Sequence, residues 1–174
     1  MNLREEILKE HSKRQTDKII RYIGDDQKKF NALVELFLKG ENRITQRAGW
    51  PMSNIVIANP KLVKKHLKNL LLNLEKPKLH NAVIRNIFRL LQFVEIPKSL
   101  HGLATETCFR FFNDRKQRVA IQCFSMTVLA NLAKIYPELK NELKLSIEAQ
   151  LPFATAGFKA RAKKVLREIN QSTV

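Results

Sequence analysis

The chain has 174 residues and carries 32 Lys plus Arg against 16 Asp plus Glu, a formal net charge of +16. With 44% hydrophobic and 28% charged residues it has the composition of a folded protein that buries one core without disulfide or metal staples, which excludes a disordered basic tail. Five Gly and six Pro are too few for a turn-rich β architecture.

Apolar residues recur at three- and four-residue spacing between Pro, Gly and Asn breakers, and almost nowhere alternate with period two, so the chain reads as all-α with ten helices. Leu3, Ile7 and Leu8 begin the first. Ser12 and Gln15 have the Ser-x-x-Gln form of a capping box opening a second, which ends at Gly24. Asp25 or Asp26 caps a third, with Phe30, Leu33, Val34, Phe37 and Leu38 on one face and a stop at Gly40. A fourth runs from about Arg43 to Ala58 and is expected to bend at Pro51, where a backbone donor is lost. Pro60, Pro97 and Pro137 are each placed to open a helix at its first position, where the missing amide costs nothing.

These starts are periodic. Asp25, Pro60, Pro97 and Pro137 are spaced by 35, 37 and 40 residues, and the intervening helices, expected to start at Arg43, Lys78, Arg115 and Thr155, are spaced by 35, 37 and 40 as well. Two helices per period of that length indicate stacked helical hairpins, because one hairpin cannot bury its apolar face alone.

The segments Gln117-Arg118-Val119-Ala120 through Asn131-Leu132 and Ala160-Arg161-Ala162-Lys163-Lys164-Val165-Leu166 resemble first helices of HEAT repeats. Gln46-Arg47-Ala48 with Pro51 is similar to the variety whose first helix is kinked by proline. The resemblance, which covers about Asp25 to Asn170 in period, implies a HEAT-like α-α superhelix, right-handed and built of about four hairpins with flanking terminal helices, and the length reads as a single domain at 1–174. It implies a habit of binding, not a reaction. In fold and charge it extends to helical-repeat alkylpurine DNA glycosylases, which use an aspartate beside aromatic residues at the DNA-facing surface. That aspartate is missing here: Trp50 is followed one turn later by Asn54, and the next acid is Glu75. Trp50 is therefore expected to pack between repeats beside Pro51. Asp114 and Glu106 are the remaining acids to test for such chemistry, and Asp114 reads instead as an N-cap preceding the next helix.

The charge is uneven along the chain. Residues 1–59 hold 11 basic and 8 acidic side chains, residues 60–136 hold 14 and 4, and residues 137–174 hold 7 and 4, so the middle carries a net +10. Lys61, Lys64, Lys65 and Lys68 fall at i, i+3, i+4 and i+7, one cationic stripe on a helix. Arg85 and Arg89 share a face of the following helix, and Arg115, Lys116 and Arg118 open the one beyond. These nine are the expected binding residues, each a clamp for phosphate or carboxylate. The partner they imply is an acidic macromolecule, either a protein or a nucleic acid, since neutralised phosphates release counterions.

Other chemistry lacks its residues. His11, His66, His80 and His101 have no metal-ligand spacing with the cysteines, and no Gly-x-Ser-x-Gly, Walker-type or Gly-x-Gly-x-x-Gly sequence occurs, so neither catalysis, metal nor cofactor is expected. Cys108 and Cys123 lie among Phe109, Phe111, Phe112, Ile121 and Phe124, the surroundings of buried reduced thiols, which points to a cytoplasmic protein. Apolar runs such as Leu70 to Leu72 fall far short of the roughly 18 residues of a membrane span, and Met1 to Glu10 lacks the apolar core of a secretory signal. Phe153 and Phe158, in an apolar loop before the last helix, are expected to seal the end of the stack.

Overall fold

A computed structural model describes residues 1–171; the last three residues of the expected 1–174 domain lie outside the described residues. Among the described residues there are ten α-helices and no strand. In chain order they are α1 (Leu3–Lys9), α2 (Lys13–Ile23), α3 (Gln27–Lys39), α4 (Asn42–Ala58), α5 (Leu67–Asn73), α6 (Asn81–Leu91), α7 (His101–Asn113), α8 (Val119–Ala133), α9 (Leu139–Glu148) and α10 (Ala156–Gln171). Short 3₁₀ segments, Pro60–His66 and Lys98–Leu100, lead into α5 and α7, and a third, Leu151–Phe153, precedes α10.

The local signals act much as side-chain chemistry requires, with instructive departures. Ser12 Oγ accepts from the Gln15 amide at 3.1 Å, but the Gln15 side chain turns away from the capping box and donates to Glu6. Asp26, not Asp25, caps α3, accepting from the amides of Lys28 at 2.8 Å and Lys29 at 3.1 Å. Gly24 ends α2 at φ 49°, a conformation open to glycine at little cost. The prolines open 3₁₀ segments or turns rather than α-helices: Pro60 begins the segment before α5, Pro97 precedes the segment before α7, and α9 starts two residues past Pro137.

First helices begin at Asn42, Asn81, Val119 and Ala156, spaced by 39, 38 and 37 residues. The expected starts at Lys78 and Arg115 fall in loops. Lys78, just after Pro77, has φ 58°, which no right-handed helix accommodates, so α6 waits for the His80 cap. Asp114 accepts from the Lys116 amide at 3.0 Å and so stabilises a turn; the residue preceding α8 is Arg118, which corrects the N-cap reading of Asp114.

The described residues divide into two compact units, Met1–Ile96 and Pro97 onward. In the first, α4 packs against α1, α2, α3 and α6. Phe30, Leu33 and Phe37 of α3, Ala48, Met52 and Val56 of α4, and Ile87 and Phe88 of α6 are completely or almost completely buried. Each large side chain so buried contributes about 1.5–3 kcal/mol. In the second unit, α8 packs against α7, α9 and α10 and is apolar nearly all round, as a helix with neighbours on several sides must be. Phe112 of α7 stacks on Phe158 of α10 with ring centroids 6.0 Å apart, and both are buried. Phe153 does not help seal this unit: it is 77% exposed, because its short 3₁₀ turn faces it outward.

Within each unit, hydrogen bonds join residues one period apart. In the first, Asn59 Nδ2 donates to Asp25 at 2.8 Å, Gln27 Nε2 to the Leu62 carbonyl at 2.9 Å, and Arg89 to Ser53 Oγ at 3.2 Å, while His66 Nε2 lies 2.8 Å from Asn31 Oδ1. In the second, His101 Nδ1 lies 2.9 Å from the Tyr136 hydroxyl, and Arg161 donates to Thr127 Oγ1 at 2.6 Å. The separations are 34 to 36 residues, so the repeat seen in the sequence is a repeat of contacts in space.

Candidate functional site

The connection from Pro60 through α5 buries Leu62, Val63, Leu67 and Leu70 and leaves Lys61, Lys64, Lys65 and Lys68 exposed. Its first seven residues form a 3₁₀ helix with three residues per turn, so Lys61 and Lys64 lie in line and Lys65 steps off. The straight α-helical stripe expected here is thus replaced by a broader lysine face. Among the described residues no carboxylate pairs with any of the four. His66, on the same segment, is held below its ordinary pKa, first by burial and then by the charge of Lys65.

A second feature of this unit is a cleft of about 370 Å³. The first turns of α4 bring Arg43, Gln46, Arg47 and Trp50 to it, at i, i+3, i+4 and i+7 on one helix face. From α6 come the cap His80 with Ala82, Arg85 and Asn86, and the turn between α1 and α2 adds His11. The groups are held by definite bonds. Arg47 Nη1 donates to the Leu8 carbonyl at 2.8 Å, satisfying an orphan acceptor near the end of α1. His80 Nδ1 accepts from the Ala82 amide at 3.1 Å, and Asn86, itself buried, donates to the Ala82 carbonyl at 2.8 Å. The rings of His11 and Trp50 meet at 60° with centroids 5.5 Å apart. Arg43 and Arg85 are exposed at the rim. The lining contains three arginines and no carboxylate.

The nine expected residues are divided between the units, six in the first and three in the second. Of them only Arg85 lines this cleft. Arg89 turns inward to Ser53, and burial, then the nearby charge of Arg85, lowers its pKa. Arg115 belongs to the second unit, where its guanidinium lies 5.0 Å from the Phe153 ring and donates to the Ala149 carbonyl at 3.2 Å, beside a depression of about 220 Å³. Lys116 and Arg118 are exposed on the turn before α8. His11, Arg43, Arg47, Trp50 and His80 were not among the expected binding residues; Trp50, expected to pack between repeats, is half-buried and lines this cleft between α4 and α6. The spacing of Arg43, Arg47 and Trp50 was visible in the sequence; the approach of His80 and His11 to it was not.

Burial pushes the Cys108 thiol far up, and that of Cys123 up against the opposing charge of Arg161. Both are free thiols, and neither is set up as a nucleophile, which requires a thiolate. Among the described residues no group of three or more His, Cys, Asp and Glu side chains could hold a metal ion, and no helix is long and apolar enough to cross a membrane.

Alternating helices bonded across one period define an α-α helical-repeat protein. A family model described as a HEAT repeat domain matches residues 3–169, and the chain belongs to that family. Neither a curated protein nor a solved structure matches it.

Proposed function

We propose that this HEAT-repeat chain is a noncatalytic, cytoplasmic binding protein that holds an acidic macromolecule on its basic surface. The observation that carries the reading is the set of exposed lysines at 61, 64, 65 and 68, which have no carboxylate partner among the described residues. Clustering like charges on one short segment costs repulsion, which a polyanion relieves with release of its counterions. The expected residues Arg115, Lys116 and Arg118 extend the same chemistry in the second unit. Burial of both thiols fits the reducing compartment.

The test is a titration of the chain with single-stranded DNA, duplex DNA and polyglutamate at low and moderate salt. At least one should bind, with log affinity falling linearly against log salt. Lys64→Glu with Lys68→Glu should weaken that binding about tenfold or more, with the circular dichroism spectrum unchanged. No binding to any of the three at low salt, or binding indifferent to the double charge reversal, overturns the proposal.

A further inference from the structure

We infer that the cleft between α4 and α6 is a site for single-stranded nucleic acid, in which a base stacks on Trp50 and the phosphates flanking it lie on Arg43 and Arg85. This rests on the polyanion reading above but places the contact on residues other than the lysine face.

The cleft combines three permanently charged guanidiniums with an indole and two imidazoles, and no carboxylate lines it. Arginine matches a phosphate with two parallel hydrogen bonds, and every nucleobase offers a π face to an aromatic ring. An acidic peptide would use the arginines but leave Trp50 and His11 without a role. A duplex keeps its bases stacked within the helix, out of reach of a ring recessed in a cleft, whereas a single strand can turn one out. The rim is ready for the ligand: among the described residues Arg43 and Arg85 make no hydrogen bond or ion pair, while Arg47 and His80 are fixed from behind by backbone groups and keep the walls in place. About 370 Å³ falls within the range of sites that enclose a small aromatic group.

Trp50 is the single tryptophan of the chain, so its emission reports on this cleft alone. Titration of the full chain with a short oligothymidylate should quench that emission saturably, with a midpoint that moves to higher concentration as salt rises. Thymidine monophosphate should quench only at far higher concentration, and inorganic polyphosphate should leave the emission unchanged. Arg43→Glu with Arg85→Glu, both at exposed positions, should raise the midpoint about tenfold or more without lowering the thermal midpoint. With a labelled strand read by anisotropy, Trp50→Ala should weaken binding by about 5- to 150-fold and Trp50→Phe should restore most of it, the span expected for one base stacked on one ring.

Polyanion binding that is sensitive to Lys64 and Lys68 but leaves Trp50 emission and the arginine double variant unaffected overturns this site and spares the broader reading. Quenching by the mononucleotide at the concentration of the strand overturns the strand as ligand. A duplex that quenches as strongly as the single strand does the same.

Discussion

Glu6 shows how one side chain ties fold stability to pH. It is buried beside Lys9 and Lys18, with Gln15 Nε2 donating to it at 2.7 Å and Lys18 Nζ at 2.8 Å. The Lys18 hydrogen bond first, then those of Lys9 and Gln15, lower its pKa from 4.5 to about 2. Its folded pKa lies below its unfolded one, so the stability it contributes is complete above pH 4.5 and is withdrawn as the pH falls from there towards 2. Glu6→Gln should therefore flatten the dependence of the urea midpoint on pH across that window. Some slope should persist, since Asp26 is lowered too, chiefly by the Lys29 amide. Parallel curves for the variant and the parent would refute this role for Glu6.

At the scale of elements, the packing of α4 against α6 leaves no room for a side chain at Gly49. Glycine inside a helix costs about 1 kcal/mol relative to alanine, so propensity alone favours Gly49→Ala. Packing decides the other way: a Cβ at Gly49 would lie 2.7 Å from Asn86 Nδ2 and 3.1 Å from its Cβ. Asn86 has little freedom to retreat, being buried and bonded to Ala82 and to Ser53. Gly49→Ala should then destabilise the chain by about 1–3 kcal/mol in denaturant unfolding, the usual cost of overfilling a packed contact. An unchanged or raised midpoint would show that the helices separate freely. The same contact frames the cleft, since α4 carries Trp50 and α6 carries Arg85. Elsewhere the element boundaries departed from the sequence reading where the backbone itself was special, as at Lys78, or where a proline led into a 3₁₀ turn before the α-helix.

For the molecule as a whole, the charge of +16 is spread over both units: residues 1–96 carry 19 basic and 10 acidic side chains, and residues 97–174 carry 13 and 6. Self-repulsion of that size opposes the compact state. Salt shortens the Debye length from about 30 Å at 0.01 M to about 8 Å at 0.15 M, so the thermal midpoint should rise between those two concentrations. A midpoint that fell with salt would mean that the native ion pairs, such as Lys18 with Glu6 and Arg4 with Glu41, outweigh the repulsion. Screening should act oppositely on polyanion binding, which makes the two effects separable in one set of buffers.

The sequence by itself determined the all-α class, the period of the repeat and the sign of the charge. Those follow from apolar spacing, from glycine and proline backbone chemistry and from composition, all of which act over a few neighbouring residues. Only the tertiary structure decided that Phe158 is buried while Phe153 is exposed, that Arg89 turns inward, and that Trp50 meets His11. It alone brought Arg85 and His80 to the face of Arg43 and Arg47. These groups come from three separate segments, brought together by the packing of α4 against α1 and α6, which no local pattern encodes.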